Sequence, residues 1–437
     1  MTRVAALALL LSASTAFADE PVEPVPLDAT ARDEELEELR REIQRDRERL
    51  DALAPLSRYV NAYVDVGFFA TGGDGSGVRS DTGHRVFPEY DGMIPAEWVL
   101  MGDPLSTAVN ARGEPADLGA SRAITDDTID SEGRPGFIVN SLGLVIDRDV
   151  TDEITLRARA ELLPRSSGDL FDVAIARIEY RPLRAPWLWL TAGRTDSVVG
   201  LEYRDQDPTG RLSVTPSLIC RYICGYPLGM QARMRSGDST LAVAITAGDM
   251  FVDQFEPDHS IVSDTIPTVA GRAARVLDDL GTGLEIGFSG AIGPQHGPPD
   301  AADLQWHLGV DAHVDDFHDV ELQVEYVQCR APGAGMNGIV PCADVACLRY
   351  KGAYLLAGWR ARNWLEPYVR VDWRDALHQQ GVDFVYVSEL ARATVGVRLE
   401  LTHRAIAKIE YTHNQELGAI PEFPNDVLTT ALVVSTN

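Results

Sequence analysis

The stretch "ARATVGVRLELTHRAIAKIEYTHN", Ala391 to Asn414, decides the fold. Ala391, Ala393, Val395, Val397, Leu399 and Leu401 are apolar, and the positions between them, Arg392, Thr394, Gly396, Arg398, Glu400 and Thr402, are polar or small. After a short break the pattern restarts, with Ala407, Ile409 and Tyr411 set against Lys408, Glu410 and Thr412. A period of two is the mark of a strand with two unlike faces. Either an antiparallel sheet with one wet face or a barrel wall with lipid outside and water inside would produce it.

The same period recurs from Ser57 onward. Val60, Ala62, Val64, Val66 and Phe68 alternate with Asn61, Tyr63, Asp65 and Gly67, and Val320, Leu322, Val324 and Tyr326 alternate with Glu321, Gln323 and Glu325. About sixteen such segments start near residues 57, 136, 152, 171, 186, 224, 238, 267, 282, 303, 318, 348, 364, 389, 405 and 426. Their lengths suit tilted membrane strands.

The connections separate the two architectures. Every second one reads as a tight turn: Arg148–Thr151, Pro182–Ala185, Ser236–Ser239, Asp278–Thr282, Asp315–His318, Ala361–Asn363 and Thr402–Arg404. The others are mostly longer, at 70–135, 164–170, 200–223, 250–266, 294–302, 330–347, 376–388 and 415–425. Short turns on one side and long loops on the other are the pattern of an outer-membrane barrel. Aromatics near strand ends (Tyr59, Tyr180, Trp187, Trp189, Trp306, Trp359, Trp364, Trp373 and Tyr411) fit interfacial girdles on the lipid side. The sequence thus predicts an all-β chain, a transmembrane antiparallel barrel of about 16 strands over 57–437.

What precedes the barrel reads differently. Arg3, the apolar run Val4 to Leu11 and the Ala16-Phe17-Ala18 site make 1–18 a signal peptide, with the mature chain starting at Asp19. The Pro- and acid-rich 19–32 is a linker. Residues 33–55 carry Leu36, Leu39, Ile43, Leu50 and Leu53 on heptad a and d positions, with Asp46 at the remaining d, a short coiled-coil helix. No other stretch approaches the ~18 apolar residues of a membrane helix. The expected location is the outer membrane of a Gram-negative bacterium, with the N-terminal segment periplasmic.

The 437 residues hold 66 acidic and 39 basic side chains, a formal net charge of −27, and the only lysines are Lys351 and Lys408. Such a chain repels phosphate backbones and is not a nucleic-acid binder. Five cysteines in an exported chain suggest disulfides: Cys220 and Cys224 share one loop, Cys329, Cys342 and Cys347 surround another. One local bridge in each leaves one thiol over. No CxxC pair points to zinc, and no cofactor is implied.

By parity the lumen receives Arg157, Arg159, Arg177, Arg181, Arg194, Arg233, Arg235, Arg360, Arg370, Arg374, Arg392, Arg398 and Lys408. It also receives Asp65, Glu161, Glu179, Glu285, Asp311, Glu321, Glu325, Glu366, Asp372, Glu400 and Glu410. A sixteen-strand barrel is too wide for side chains to fill, so these face water. The basic wall favours anions and the acidic mouths favour cations, so ion preference stays open.

Two stretches resemble a known group, the phosphate-selective porins and related trimeric Gram-negative porins: "LTAGRTDSVVGLEYRDQDPTGRLSV" at 190–214 and "TVAGRAARVLDDLGTGLEIGFSGA" at 268–291. The resemblance implies a homotrimer in outer-membrane lipid and lipopolysaccharide, passing small hydrophilic solutes. It also implies that loop 200–223 folds into the channel, with Glu202, Arg204, Asp205, Asp207, Arg211 and Arg221 at the constriction and a Cys220–Cys224 bridge holding it. Two features depart from the group: only two lysines, and a chain ending "VVSTN" at Asn437 instead of an aromatic. The rivals are a barrel enzyme and a plugged structural or adhesion barrel. No GxSxG or HExxH occurs, and no catalytic residue is assigned; His307, Asp311 and His313 share one strand face at metal-ligand spacing.

Overall fold

The computed structural model describes residues 60–71, 108–109, 136–162, 171–205, 207–223, 226–246, 267–277, 283–294, 304–331, 347–380, 384–417 and 426–436. The signal peptide, linker and coiled-coil segments lie outside the described residues.

Sixteen strands form the wall: β1 Val60–Thr71, β2 Gly136–Asp149, β3 Ile154–Leu162, β4 Phe171–Tyr180, β5 Leu188–Arg194, β6 Leu228–Ser236, β7 Ser239–Thr246 and β8 Thr268–Leu277, then β9 Leu284–Pro294, β10 Leu304–Phe317, β11 Val320–Ala331, β12 Cys347–Trp359, β13 Leu365–Gln380, β14 Phe384–Thr402, β15 Ala405–Glu416 and β16 Val427–Ser435. Each pairs antiparallel with its neighbours in sequence, and β1 closes on β16 from Tyr63↔Ser435 to Thr71↔Val427. Closure leaves no open sheet edge, which lipid could not satisfy.

Alternation now has a direction. Thr394 and Arg392 are 3 % exposed, whereas Val395 between Thr394 and Gly396 is 54 % exposed. The outward face of Val, Leu, Ile and Phe runs round the barrel, including Leu144, Ile178, Leu190, Ile245, Phe288, Leu308, Val371 and Leu432. An uncovered apolar band of this extent suits hydrocarbon and not water. Trp359 and Trp364 are exposed at the short-turn end.

The tight turns carry the backbone that two-residue hairpins require. His318 and Asp319, between β10 and β11, sit at φ 55° and 65°, the left-handed pair of a type I′ turn. Gly237 does the same job with φ 55° between β6 and β7.

One expected loop is mostly strand. The connection placed at 376–388 shrinks to 381–383, because β13 and β14 continue pairing up to Gln380↔Phe384. Asp375, His378, Gln379, Gln380 and Glu389 are polar on both faces, so no alternation marks this end. A hairpin rising above the bilayer needs ladder hydrogen bonds but no apolar face. The short piece Ala108–Val109 pairs with Val387 and Ser388 there.

Candidate functional site: a loop folded onto the inner wall

Strands β5 and β6 are joined by residues 195–227, and this segment lies inside the barrel. Val198, Val199, Ile219, Cys220 and Ile223 are buried against Ala242, Ala244, Ala270 and Ala291 of β7, β8 and β9 and against Val327, Tyr354 and Leu356 of β11 and β12. Small inward residues on β7 to β9 leave the room that the loop's Val and Ile side chains fill.

The polar anchors lie further round the wall. The Gly200 N–H donates to Ser289 Oγ at 3.1 Å on β9. Leu201 and Glu202 N–H donate to Glu325 Oε2 at 3.1 and 3.3 Å on β11. Gly200 has φ 79°, and a Cβ there would collide with the Glu325 carboxylate, so glycine is required. Leu218 N–H donates to Asp372 Oδ1 at 3.2 Å.

On β15, Glu410 accepts from Val214 N–H at 2.9 Å, Thr215 N–H at 3.4 Å and the Thr215 hydroxyl, and Tyr368 Oη donates to it at 2.7 Å. Lys408 Nζ donates to the carbonyls of Pro208 at 2.9 Å, Ser213 at 3.3 Å, and Arg211. Arg370 binds Asp372 Oδ2 at 2.9 Å and Ser213 Oγ at 3.2 Å, and reaches Thr215. These are buried charges compensated by partners and backbone dipoles, the arrangement that makes burial tolerable.

The lumen wall is therefore not uniformly wet, as parity alone had it. Arg159, Arg194, Arg370, Arg374, Arg392 and Lys408 are buried. The loop takes Arg370 and Lys408 directly, and Arg159 donates to the Tyr226 hydroxyl near the loop's end. Arg398 pairs with Glu400 at 2.7 Å and Glu366 at 3.6 Å. Arg181 sits at the rim, stacked over Trp189 at 4.8 Å.

What stays open is the β3 to β8 side. A cavity of about 580 Å³ is lined there by Arg157, Arg177, Arg204, Arg233, Arg235 and Arg272, with Glu179 and Asp196 as its carboxylates. Arg157 and Arg177 oppose each other in register. Their repulsion is offset by Asp147, Glu179 and Asp196, at 2.6 to 3.6 Å from the two guanidiniums. Arg272 binds Asp311 Oδ2 at 3.0 Å and Glu285 at 2.7 Å, and Arg204 shares Glu285 at 3.1 Å. Arg233 and Arg235 line the cavity with no side-chain ion pair among the described residues.

Of the residues assigned to a constriction, only Arg204 lines this cavity. Glu202 and Arg211 turn into the loop's own packing. Glu202 accepts from Ser217 N–H at 2.6 Å and from its hydroxyl, while Arg211 donates to the carbonyls of Ser213 at 3.1 Å and Val214 at 2.6 Å. Burial pushes the Glu202 carboxyl up to about 7, with Arg370 and Ser217 pulling the other way. Asp207 shapes a turn, accepting from Thr209 N–H at 2.9 Å. The side chains of Asp205 and Arg221 lie outside the described residues.

Two further assignments are corrected. Trp189, read as a lipid-side girdle residue, lines the cavity, because Leu188 and Leu190 of β5 take the outward positions. Cys329, read as a disulfide candidate, is a thiol, buried 3.3 Å from His307 Nε2 on the neighbouring strand. Cys220 is disulfide-bonded. Cys224, Cys342 and the Cys347 side chain lie outside the described residues. His307, Asp311 and His313 do not converge on one point: His307 engages Cys329, Asp311 engages Arg272 and His313 reaches Asp315 at 3.0 Å. Among the described residues no group of three His, Cys, Asp or Glu side chains is arranged to hold a metal.

Arg272 was missed from sequence because β8 alternates weakly. Its parity with Thr268, Ala270 and Ala274 was the available signal.

No protein-family profile matches the sequence, and no curated protein sequence matches it. Solved structures do. The outer membrane channel DcaP of Acinetobacter baumannii matches with a TM-score of 0.51 at 12 % identity, over 86 % of this chain and 96 % of that one. OmpF of Salmonella typhi, solved in complex with daunomycin, matches with a TM-score of 0.50 at 11 % identity, over 86 % and 96 %. At such identities the likeness is one of architecture. The chain has the fold of the outer-membrane porins, a closed antiparallel barrel of sixteen strands.

Proposed function

We propose that this chain is an outer-membrane diffusion channel for small hydrophilic solutes, with a preference for anions. The observation that carries the reading is the uncovered part of the lumen, where six guanidiniums line the path, Arg233 and Arg235 without an ion pair among the described residues, beside a loop that covers the opposite wall. Basic linings of a narrow aqueous path concentrate anions and exclude cations. Arginine is the residue for planar oxyanions, because its fork pairs two oxygens at once. The scarcity of lysine therefore does not remove phosphate as a solute, and inorganic phosphate is a suitable competitor for chloride.

The experiment is reconstitution into a planar bilayer under a potassium chloride gradient. Stepwise conductance with a reversal potential on the chloride side is expected. A correctly folded barrel that stays silent would favour the plugged structural reading instead, and a reversal potential on the potassium side would remove the anion preference alone.

We further propose a homotrimer, supported by the porin resemblance and the heptads of 33–55. The protein–detergent complex should have three times the mass of the mature chain by light scattering. Removal of residues 19–55 tests whether the helix contributes. A monomer in mild detergent contradicts the assembly.

A further inference from the structure

Outside the barrel, one place departs from the apolar pattern in an ordered way. Arg330 of β11 and Arg349 of β12 are direct register partners, and the next rung pairs Gln328 with Lys351. All of them point outward: Cys329 and Gly352, the alternate residues, are buried on the inner face, while Arg330, Arg349 and Lys351 are exposed. Lys351 Nζ lies 5.4 Å from the Trp373 ring centre and 3.2 Å from Asp375. Arg330 and Arg349 make no ion pair among the described residues. Three cations on two adjacent rungs thus meet one carboxylate. Like charges directly opposed across a ladder are unfavourable unless something anionic lies between them.

The height of the cluster identifies what that is. Below it on the same face run Tyr326, Val324, Leu322 and Val320 of β11, and Ala353, Leu355, Ala357 and Trp359 of β12. From Trp359 to Lys351 is eight residues, about 27 Å of strand and less in height after tilt, comparable with the ~25 Å apolar band of such barrels. Trp373 pairs with Ala353, two residues below Lys351, and so marks the upper interface. The cations stand at headgroup level, and at the end with the longer connections, since β11 and β12 are joined there by residues 332–346. In an outer membrane that is the outer leaflet.

We infer that Arg330, Arg349 and Lys351 form a binding site for the phosphate groups of an acylated, phosphorylated glycolipid of the lipopolysaccharide type. The acyl chains would lie along the Val, Leu and Tyr face below, and the phosphates would bridge the opposed guanidiniums in charge-assisted hydrogen bonds. The inference rests on the outer-membrane reading proposed above. It is independent of the pore, because these side chains and the lumen lie on opposite faces of the wall.

The test uses the full mature chain in mild detergent, titrated with bisphosphoryl lipid A and, in parallel, with chemically dephosphorylated lipid A and inorganic phosphate. Binding is read by native mass spectrometry. Wild type should bind bisphosphoryl lipid A, bind the dephosphorylated lipid at least about ten-fold more weakly, and take up inorganic phosphate at neither opposed guanidinium. The pair R330Q and R349Q should lose at least about ten-fold in affinity for bisphosphoryl lipid A. R275Q, an outward arginine at the opposite end of β8, should bind like wild type. Equal binding of the two lipids, or unchanged affinity in the double variant, overturns the site. Conductance of the same variants separates the two readings: normal channels without lipid selectivity leave the pore standing and remove the lipid site.

Discussion

Replacing Glu410 by alanine is expected to free the inner loop and raise single-channel conductance by about two-fold or more, since half-covered wall would return to water. Glu410 is fully buried and gathers Val214, Thr215 and Tyr368 onto one carboxylate. Its loss strands two backbone N–H groups and leaves Lys408 and Arg370 with less compensation. Breaking a buried charge partnership typically costs about 3–5 kcal/mol, and each stranded donor about 1–3 kcal/mol more. The loop's apolar contacts with the alanines of β7 to β9 cannot offset that in full. The ladder bonds of the wall do not depend on Glu410, so the barrel should survive, which its heat-modifiable mobility on gels will show. Glu410→Gln keeps an acceptor and should give an intermediate phenotype. Added trypsin should cut the alanine variant after Arg204 or Arg211 while wild type resists. Unchanged current and unchanged trypsin resistance together would mean that the loop is held by its apolar contacts alone.

The second large effect is expected from R233E with R235E. Both arginines line the cavity and neither is in an ion pair among the described residues, so their replacement breaks no described latch. With the pairing carboxylates Asp147, Glu179, Asp196, Glu285 and Asp311 counted, six cations against five anions become four against seven. At about 8 Å in water each unit charge contributes about 0.5 kcal/mol, reduced by roughly half in 0.1 M salt. Four units of change then amount to about 1 kcal/mol per monovalent ion, unfavourable for chloride and favourable for potassium, a roughly 30-fold fall in the chloride-to-potassium permeability ratio. With the lining turned net acidic in a chain of net charge −27, the reversal potential should move to the cation side. A reversal potential that does not move would show that the current bypasses this cavity.

The wall was readable from sequence because lipid and water impose opposite demands on neighbouring residues. Ala391 to Leu401 alternates without a break, and the strand starts read from such alternation fall within about five residues of the observed ones at every position. Where both faces meet water the signal vanishes, as at 376–388, and strand was read as loop. The inner loop was legible in place but not in posture. Parity separates inside from outside and is silent on whether the inside is wet. The sign that something covers it was present in the inward residues of β7 to β9: Ala242, Ala244, Ala270, Ala274 and Ala291 stand where a water-facing wall would carry charge. Arg370 and Glu410 carry the same residue types as Arg157 and Glu179 and differ in what folds over them. Partners 150 or more residues away leave no local trace, so Arg370 and Glu410 read as water-facing wall. Glu202 and Arg211 read as eyelet residues because the loop's own folding, which ties them to Ser217, Ser213 and Val214, has no periodic signature.

The loop leaves the wall between β5 and β6, yet Val214 finds its acceptor 196 residues later in the chain. The loop therefore has no complete seat until β13 and β15 stand in the wall. Assembly of the wall and narrowing of the lumen are ordered in time: the channel is first built wide and then throttled from within. A barrel without its last hairpin would lack the Glu410 and Lys408 seat, and its lumen would stand wider than that of the finished channel.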